Sequence, residues 1–212
     1  SFKKNRTQLC IVPIKENYPG LKPKRILDLG YTTGATTVAY CDEFPGAEIY
    51  AVDLAAPCLR YAHARAESMG AAVHFSQQNA EHLDFEDGYF DLVVSHGLAH
   101  ETSAKAIRNI LKECHRILRP GGVTAHYDPQ WSTGLNPHDS FMHDWDGSYN
   151  NEPFWSALHE TSISGLMTEA GFNANSVHEC WGYTDANLGV VVVPANDTDS
   201  NLARATVFYA LK

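Results

Sequence analysis

The chain has little of what several functional classes require. Its five cysteines, Cys10, Cys41, Cys58, Cys114 and Cys180, are odd in number, widely spread and contain no Cys-x-x-Cys pair, which argues against a disulfide framework and against a cysteine zinc site. Apolar runs are short, the valines before Pro194 being an example, so nothing approaches the length that spans a bilayer, and no secretory hydrophobic region is present. Basic residues are in deficit, 16 against 25 acidic ones, for a formal charge of −9. No run of Lys or Arg is long enough to track a phosphate backbone, and neither nucleic acid nor a membrane is an expected partner. Lys3, Lys4, Arg6, Lys15, Lys22, Lys24 and Arg25 make the N-terminal end locally basic, which reads as a solvated face. A reducing cytoplasm fits this composition. Glycines at dinucleotide-binding spacing are also missing: counting Gly-x-Gly-x-x-Gly from Gly30 puts Thr32 and Ala35 at the second and third glycine positions.

What is present is an α/β pattern. With 212 residues, 44% of them apolar, the chain is sized for one domain with a substantial core. Residues 1–24, with Pro13, Pro19 and Pro23, read as an entry segment whose fold the sequence leaves undetermined, and residues 25–212 are expected to form the domain. The chain begins at Ser1 rather than Met, and a preceding N-terminal domain in a longer chain is an expectation. A first strand is predicted over 25–29, a helix over 35–43, and a second strand ending at Asp53. A helix follows from Pro57 to Met69, closed by Gly70. Short strands are predicted over 73–77 and 89–95. Ile107, Ile110, Leu111, Cys114, Ile117 and Leu118 recur at three- and four-residue intervals and predict a helix over 103–118 with one apolar stripe. Pro120-Gly121-Gly122 ends it before a strand over 123–127. Residues 129–152, rich in aromatic and polar side chains, read as a substrate loop or lid. A helix over 152–170, strands over 175–183 and 205–211, and a polar excursion over 184–204 complete the chain. Alternating strands and helices predict parallel order with right-handed crossovers.

The chemistry concentrates where strands end. Gly30 and Gly34 leave the first strand in a tight turn suited to close approach of a ligand, and Asp53 closes the neighbouring strand, where its carboxylate can accept both hydroxyls of a ribose. Asp28-Leu-Gly30-Tyr-Thr-Thr-Gly34 resembles the first motif of the class I S-adenosylmethionine-dependent methyltransferases, with Thr32 in place of the middle glycine. Asn79-Ala80-Glu81, Gly88-Tyr-Phe-Asp91 running on to His96, and Glu113 to Gly122 resemble later motifs of that family in the same order, and Glu169-Ala-Gly-Phe172 extends the likeness more loosely. The resemblance implies a Rossmann-like three-layer sandwich, with a mostly parallel seven-stranded sheet and an antiparallel last strand. It implies S-adenosylmethionine as cofactor, S-adenosylhomocysteine as product, and a small-molecule acceptor methylated at O, N or C.

By the same resemblance the cofactor residues are Asp28, Gly30, Tyr31, Thr32, Gly34, Asp53, Leu54, Asn79, Ala80, Glu81, Ser95 and His96. Asp28 would reach the methionine ammonium, Asp53 the ribose, and Asn79-Ala80 the adenine. His100 and His126, placed just beyond or at strand ends, are candidate proton acceptors. Asp128, Trp131, His143, Tyr149, Asn150 and Trp155 are candidates for the acceptor pocket. The spacing of His126, Asp128, His138, His143, Asp144 and Asp146 matches no metal motif, and no metal is expected. The alternative reading is a nucleoside-binding module without catalysis. A nicotinamide oxidoreductase shares the strand-turn-helix pattern but lacks its glycine spacing here.

Overall fold

The structure, a computed structural model, describes residues 2–129, 137–159, 161–185, 189–194 and 205–212. Strands β1 (Arg25–Leu29), β2 (Glu48–Asp53), β3 (Val73–Gln77), β4 (Phe90–His96) and β5 (Leu118–Pro129) are mutually parallel. They are followed by β6 (Val177–Asp185), β7 (Gly189–Pro194) and β8 (Ala205–Leu211). The eight strands form one sheet in the order β3-β2-β1-β4-β5-β8-β6-β7. β8 inserts antiparallel between β5 and β6, as expected for the last strand. The sheet has one strand more than expected: β7 folds back on β6 as an antiparallel edge, with Asp185 opposite Gly189, inside the segment read as a polar excursion. Residues 186–188 and 195–204 of that segment lie outside the described residues.

The central strands read as continuous apolar runs because both sheet faces are covered. Helices α1 (Phe2–Asn17), α2 (Thr37–Glu43) and α3 (Ala56–Ser68) cover one face. There Ile11, Ile14, Ile26, Ile49, Leu92 and Val123 share a core with Tyr40. Helices α4 (Ala104–Ile117), α5 (Pro137–Tyr149), α6 (Trp155–His159) and α7 (Ile163–Ala170) follow β4 and β5 in the chain. The apolar stripe of α4 packs with Leu166, Met167 and Phe172 onto Leu27, Val93 and Phe208 of the opposite face. Helix α4 starts where expected because Ser103 Oγ accepts from the Ala106 N–H at 3.2 Å. Helix α7 ends at Gly171, whose φ of 114° is a left-handed cap.

Two expectations change, and the undetermined entry segment takes a definite fold. The entry segment is mostly helix: α1 runs through Pro13 and buries Cys10, Ile11 and Ile14 against the sheet. Residues 137–149 form a helix where a loop was expected. The single helix over 152–170 is two, α6 and α7. None of the described helices is long and apolar enough to cross a membrane.

Candidate active site

Strand order reverses between β1 and β4, and their carboxyl ends open a crevice, the place where open α/β sheets bind ligands. The crevice has a volume of about 350 Å³, and its walls come from four chain segments. Gly30 and Thr32 form the β1 turn, Asp53, Leu54, Ala55 and Cys58 follow β2, Gln78 to Glu81 follow β3, and Gly97, Leu98, Glu101 and Thr102 follow β4. Ala106 and Ile110 of α4 close it.

The β1 turn is built around Asp53. Its Oδ2 accepts the Thr32 N–H at 2.9 Å and its Oδ1 accepts the Ala55 N–H at 2.8 Å, so one carboxylate ties the β1 and β2 turns together. Gly30 has φ of +65°, and a Cβ there would meet Leu98 Cδ1 at 2.9 Å on the crevice wall. Thr32 also adopts the left-handed conformation, with φ of 50°. For a β-branched residue that is a strained state. After β3, the Asn79 side-chain oxygen accepts the Glu81 N–H at 2.9 Å, fixing the turn that presents Ala80, while Glu81 accepts from Asn109 Nδ2 at 2.9 Å.

Asp28 lies fully buried beneath the turn. Its Oδ2 accepts from the Thr37 hydroxyl at 2.6 Å and the Thr36 hydroxyl at 3.3 Å. Its Oδ1 is buried with no hydrogen-bond partner among the described residues. Burial pushes this carboxyl up to about 7, against the lowering effect of the two hydroxyls. An orphaned carboxylate oxygen is the defect that a ligand ammonium repairs, so the site suits the amino-acid end of S-adenosylmethionine, as Asp53 suits its ribose.

Not every candidate reaches the crevice wall, and the fully buried Asp28 is among those that do not line it. Gly30, Thr32, Asp53, Leu54, Asn79, Ala80 and Glu81 line it. Tyr31 instead packs with Ala51 and Ala62 and edge-on to Phe75, and Gly34 packs against Ala62. His96 Nε2 pairs with the Tyr40 hydroxyl at 2.9 Å. Ser95 is buried, its hydroxyl 2.8 Å from His126 Nδ1. The structure does not bring His126 to the crevice: its other nitrogen meets the Thr124 hydroxyl at 2.8 Å, and burial lowers the ring to about 4. It is a neutral core imidazole with both nitrogens occupied, and His100 stands without it.

His100 is differently placed. It lies in the 3-10 turn Ala99–Glu101, and its Nδ1 is 2.7 Å from Oδ1 of Asp128, whose side chain is 1% exposed. Asp128 also accepts the Ala99 and His100 N–H groups at 3.1 and 3.3 Å. The ring sits over Gly97, where a Cβ would be 3.1 Å from His100 Cε1, and Nε2 is 3.5 Å from Glu101 Oε1. Gly97 and Glu101 both line the crevice, while His100 itself is not among the lining residues and sits behind them. Burial lowers the His100 ring, but Asp128 and the nearby Glu101 and Glu152 outweigh it and hold the ring above its ordinary value. Trp155 stacks edge-on to it at 5.2 Å.

Of the remaining acceptor-pocket candidates, Tyr149 and Asn150 are exposed at the end of α5 and His143 lies on that helix. Trp131 lies outside the described residues. Among the lining residues that sequence reasoning missed are Gln78, Cys58, Thr102 and Ile110. Ile110 was legible only as part of the α4 stripe, and the other three carry no spacing signal.

Comparison with known proteins agrees with this geometry. A family model described as a methyltransferase domain matches residues 26–122. A demethylmenaquinone methyltransferase of Thermus thermophilus is 40% identical over 106 residues, covering 47% of this chain and 44% of that one. A malonyl-[acyl-carrier protein] O-methyltransferase of Geobacter sulfurreducens is 42% identical over 108 residues, covering 50% of this chain and 39% of that one. The matches thus span less than half the length of these two relatives. The crystal structure of a SAM-dependent methyltransferase from Methanosarcina mazei superposes with a TM-score of 0.67 at 18% identity, over 94% of this chain and 97% of that one. Crevice, motif order and relatives agree: residues 26–122 match a methyltransferase domain, and the similarities support a class I SAM-dependent methyltransferase with S-adenosylmethionine as cofactor.

Proposed function

We propose that the protein methylates a small organic acceptor whose reacting atom, O, N or an acidic carbon, carries a proton, and that His100 takes that proton. When bound, S-adenosylmethionine supplies a methyl group on a sulfonium, which is a good leaving group. The protein has then to align two reactants, exclude water and manage the acceptor's proton. Asp53 holds the ribose, Asp28 the ammonium, and the Asn79-Ala80 turn the adenine edge. The observation that carries the reading is the Asp128–His100 pair beside the crevice residues Gly97 and Glu101. A buried carboxylate on Nδ1 fixes the tautomer and orients Nε2, the arrangement of an imidazole that accepts protons. Asp128 is a positioning residue and His100 the catalytic one.

Helices α5 and α6 supply the acceptor side. Trp155 walls the imidazole, and α5 carries Trp145 and Tyr149 with ring centroids 5.2 Å apart. The relatives named for quinone and acyl-carrier acceptors place hydroxyl, carboxyl and carbon acids in a first panel of substrates, with amines beside them. The test is methyl transfer from radiolabelled S-adenosylmethionine to that panel, in the wild type and in His100→Gln. Turnover that falls by about 10²-fold or more in the variant while cofactor binding persists supports the reading. Equal turnover in both proteins contradicts the role of His100. Cofactor binding with no transfer to any acceptor favours the binding-module alternative.

A further inference from the structure

One cluster beside the crevice mouth is more than methyl transfer requires. His100, Glu101 and Glu152 each bring a ligand atom to a point where all of these atoms lie within 4.8 Å of one another. The three come from two elements: His100 and Glu101 from the 3-10 turn after β4, Glu152 from the turn that opens α6, where its carbonyl accepts the Trp155 N–H at 3.2 Å. Contacts between α6 and the 3-10 turn hold the two together.

Three features separate this cluster from a solvated group of surface acids. The imidazole is already oriented, because Asp128 clasps Nδ1 at 2.7 Å and leaves Nε2 beside Glu101 Oε1 at 3.5 Å. A carboxylate behind the distal nitrogen is the support that metal-binding histidines use. Glu152 Oε2 is buried and has no hydrogen-bond partner among the described residues. A carboxylate oxygen shut away from water without a donor calls for a positive charge. Finally, among the described residues no Lys or Arg lies within ion-pair distance of Glu101 or Glu152, and His100 is the one basic group paired to this cluster.

We propose that His100, Glu101 and Glu152 form a binding site for a divalent transition cation of the zinc or manganese class. One imidazole and two carboxylates suit such ions, whereas magnesium prefers oxygen donors and its own water. No metal-ligand spacing marks the site in the sequence, because the third ligand is far along the chain and only the packing of α6 on the 3-10 turn delivers it. A cation bound there takes the Nε2 lone pair that a proton acceptor needs. On the reading of His100 given above, the occupied enzyme is therefore silent, and the cation is an inhibitor.

The test begins with binding, which needs neither cofactor nor acceptor and so stands apart from whether His100 is a base. The chelator-stripped protein is titrated with Zn²⁺, and separately with Mg²⁺, by equilibrium dialysis and by the fluorescence of Trp155, which lies 5.2 Å from the imidazole. The proposal predicts a stoichiometric zinc ion bound more tightly than magnesium. Glu152→Gln and Glu101→Gln, near-isosteric changes that leave the fold in place, should each weaken zinc at least about tenfold. Trp155→Phe should abolish the fluorescence change and keep the ion. Zinc affinity equal in the wild type and both Gln variants would assign the ion to other His or Cys side chains and overturn the proposal, as would no binding at all. If zinc binds as predicted but methyl transfer is unaffected at full occupancy, the site stands and the role of His100 as base falls.

Discussion

His100 Nδ1 lies 2.7 Å from the buried Oδ1 of Asp128, joining the turn after β4 to the end of β5 beside the crevice residues Gly97 and Glu101. Asp128→Asn keeps the shape and removes the charge that selects the tautomer. Turnover should fall by about 10²- to 10⁴-fold, while the KM for S-adenosylmethionine stays within a factor of a few. Steady-state kinetics with any accepted substrate checks this. A rise in KM with turnover unchanged would show that the pair serves binding alone.

If the buried Asp28 receives the ligand ammonium as proposed, it links cofactor binding to pH. Its carboxyl is raised in the folded protein to about 7, from an ordinary value of 3.8. The free protein therefore holds a proton there that the unfolded chain releases, and this contribution to stability declines as pH rises from about 4 to about 7. A bound ammonium favours the ionised carboxylate, so binding expels the proton below pH 7. Affinity for S-adenosylhomocysteine should rise with pH up to about 7 and then level off. Calorimetry in buffers of different ionisation enthalpy should detect the released proton, and Asp28→Asn should flatten the profile. A wild-type affinity independent of pH from 5.5 to 8 contradicts the assignment.

Thr32 carries its side chain at φ of 50° on the crevice wall, where the resembling motif has glycine. The left-handed conformation costs a non-glycine residue about 1–2 kcal/mol, partly offset by the greater freedom of glycine in the unfolded chain. Thr32→Gly should therefore leave stability unchanged or raise it by up to about 1 kcal/mol, and should tighten cofactor binding by removing a Cβ from the wall. Denaturant melts and calorimetry report both effects. A clear loss of stability would mean that the threonine hydroxyl, 3.3 Å from the Gly30 carbonyl, matters more than the strain.

Arg116 holds the loop that follows Asn79–Glu81 in place. Its guanidinium donates to the Leu83 carbonyl at 2.9 Å and the Phe85 carbonyl at 2.7 Å, and it pairs with Glu113, which also accepts the Leu83 N–H at 2.8 Å. Arg116→Ala leaves both carbonyls without their donor and the largely buried Glu113 with only the Leu83 N–H, and should destabilise the protein by about 2–3 kcal/mol. Arg116→Lys should recover only part of this, since one ammonium cannot span the fork. Full recovery by lysine would reduce the residue's role to its charge.

The β1 and β2 side of the site is legible in the sequence because its signals are local. Apolar runs ending in Gly30 and Asp53 announce two buried parallel strands, and the stripe from Ile107 to Leu118 announces α4, since each is set within a dozen neighbouring residues. The parts that escaped depend on distant packing. Helix α1 contains Pro13 and shows no apolar stripe, yet Ile11 and Ile14 are buried because the sheet receives them. Strand β7 exists because it pairs with β6, which is itself placed by β8. His100 and His126 read alike as strand-end histidines. Only the pairing of β4 with β5, His96 opposite Tyr127 and Ser95 opposite His126, buries one and sets the other against Asp128.

The central claim is that the crevice built around Asp53 binds S-adenosylmethionine. The most direct measurement is calorimetric titration of the wild type and of Asp53→Ala with S-adenosylmethionine and S-adenosylhomocysteine. Asp53 would hold the ribose and also accepts the Thr32 and Ala55 N–H groups, so its loss should weaken binding by about 1.5–3 kcal/mol or more, at least tenfold. Saturable one-to-one binding in the wild type that collapses in the variant is the predicted result. Binding that survives the substitution unchanged, or a wild type that binds neither ligand, would contradict the account.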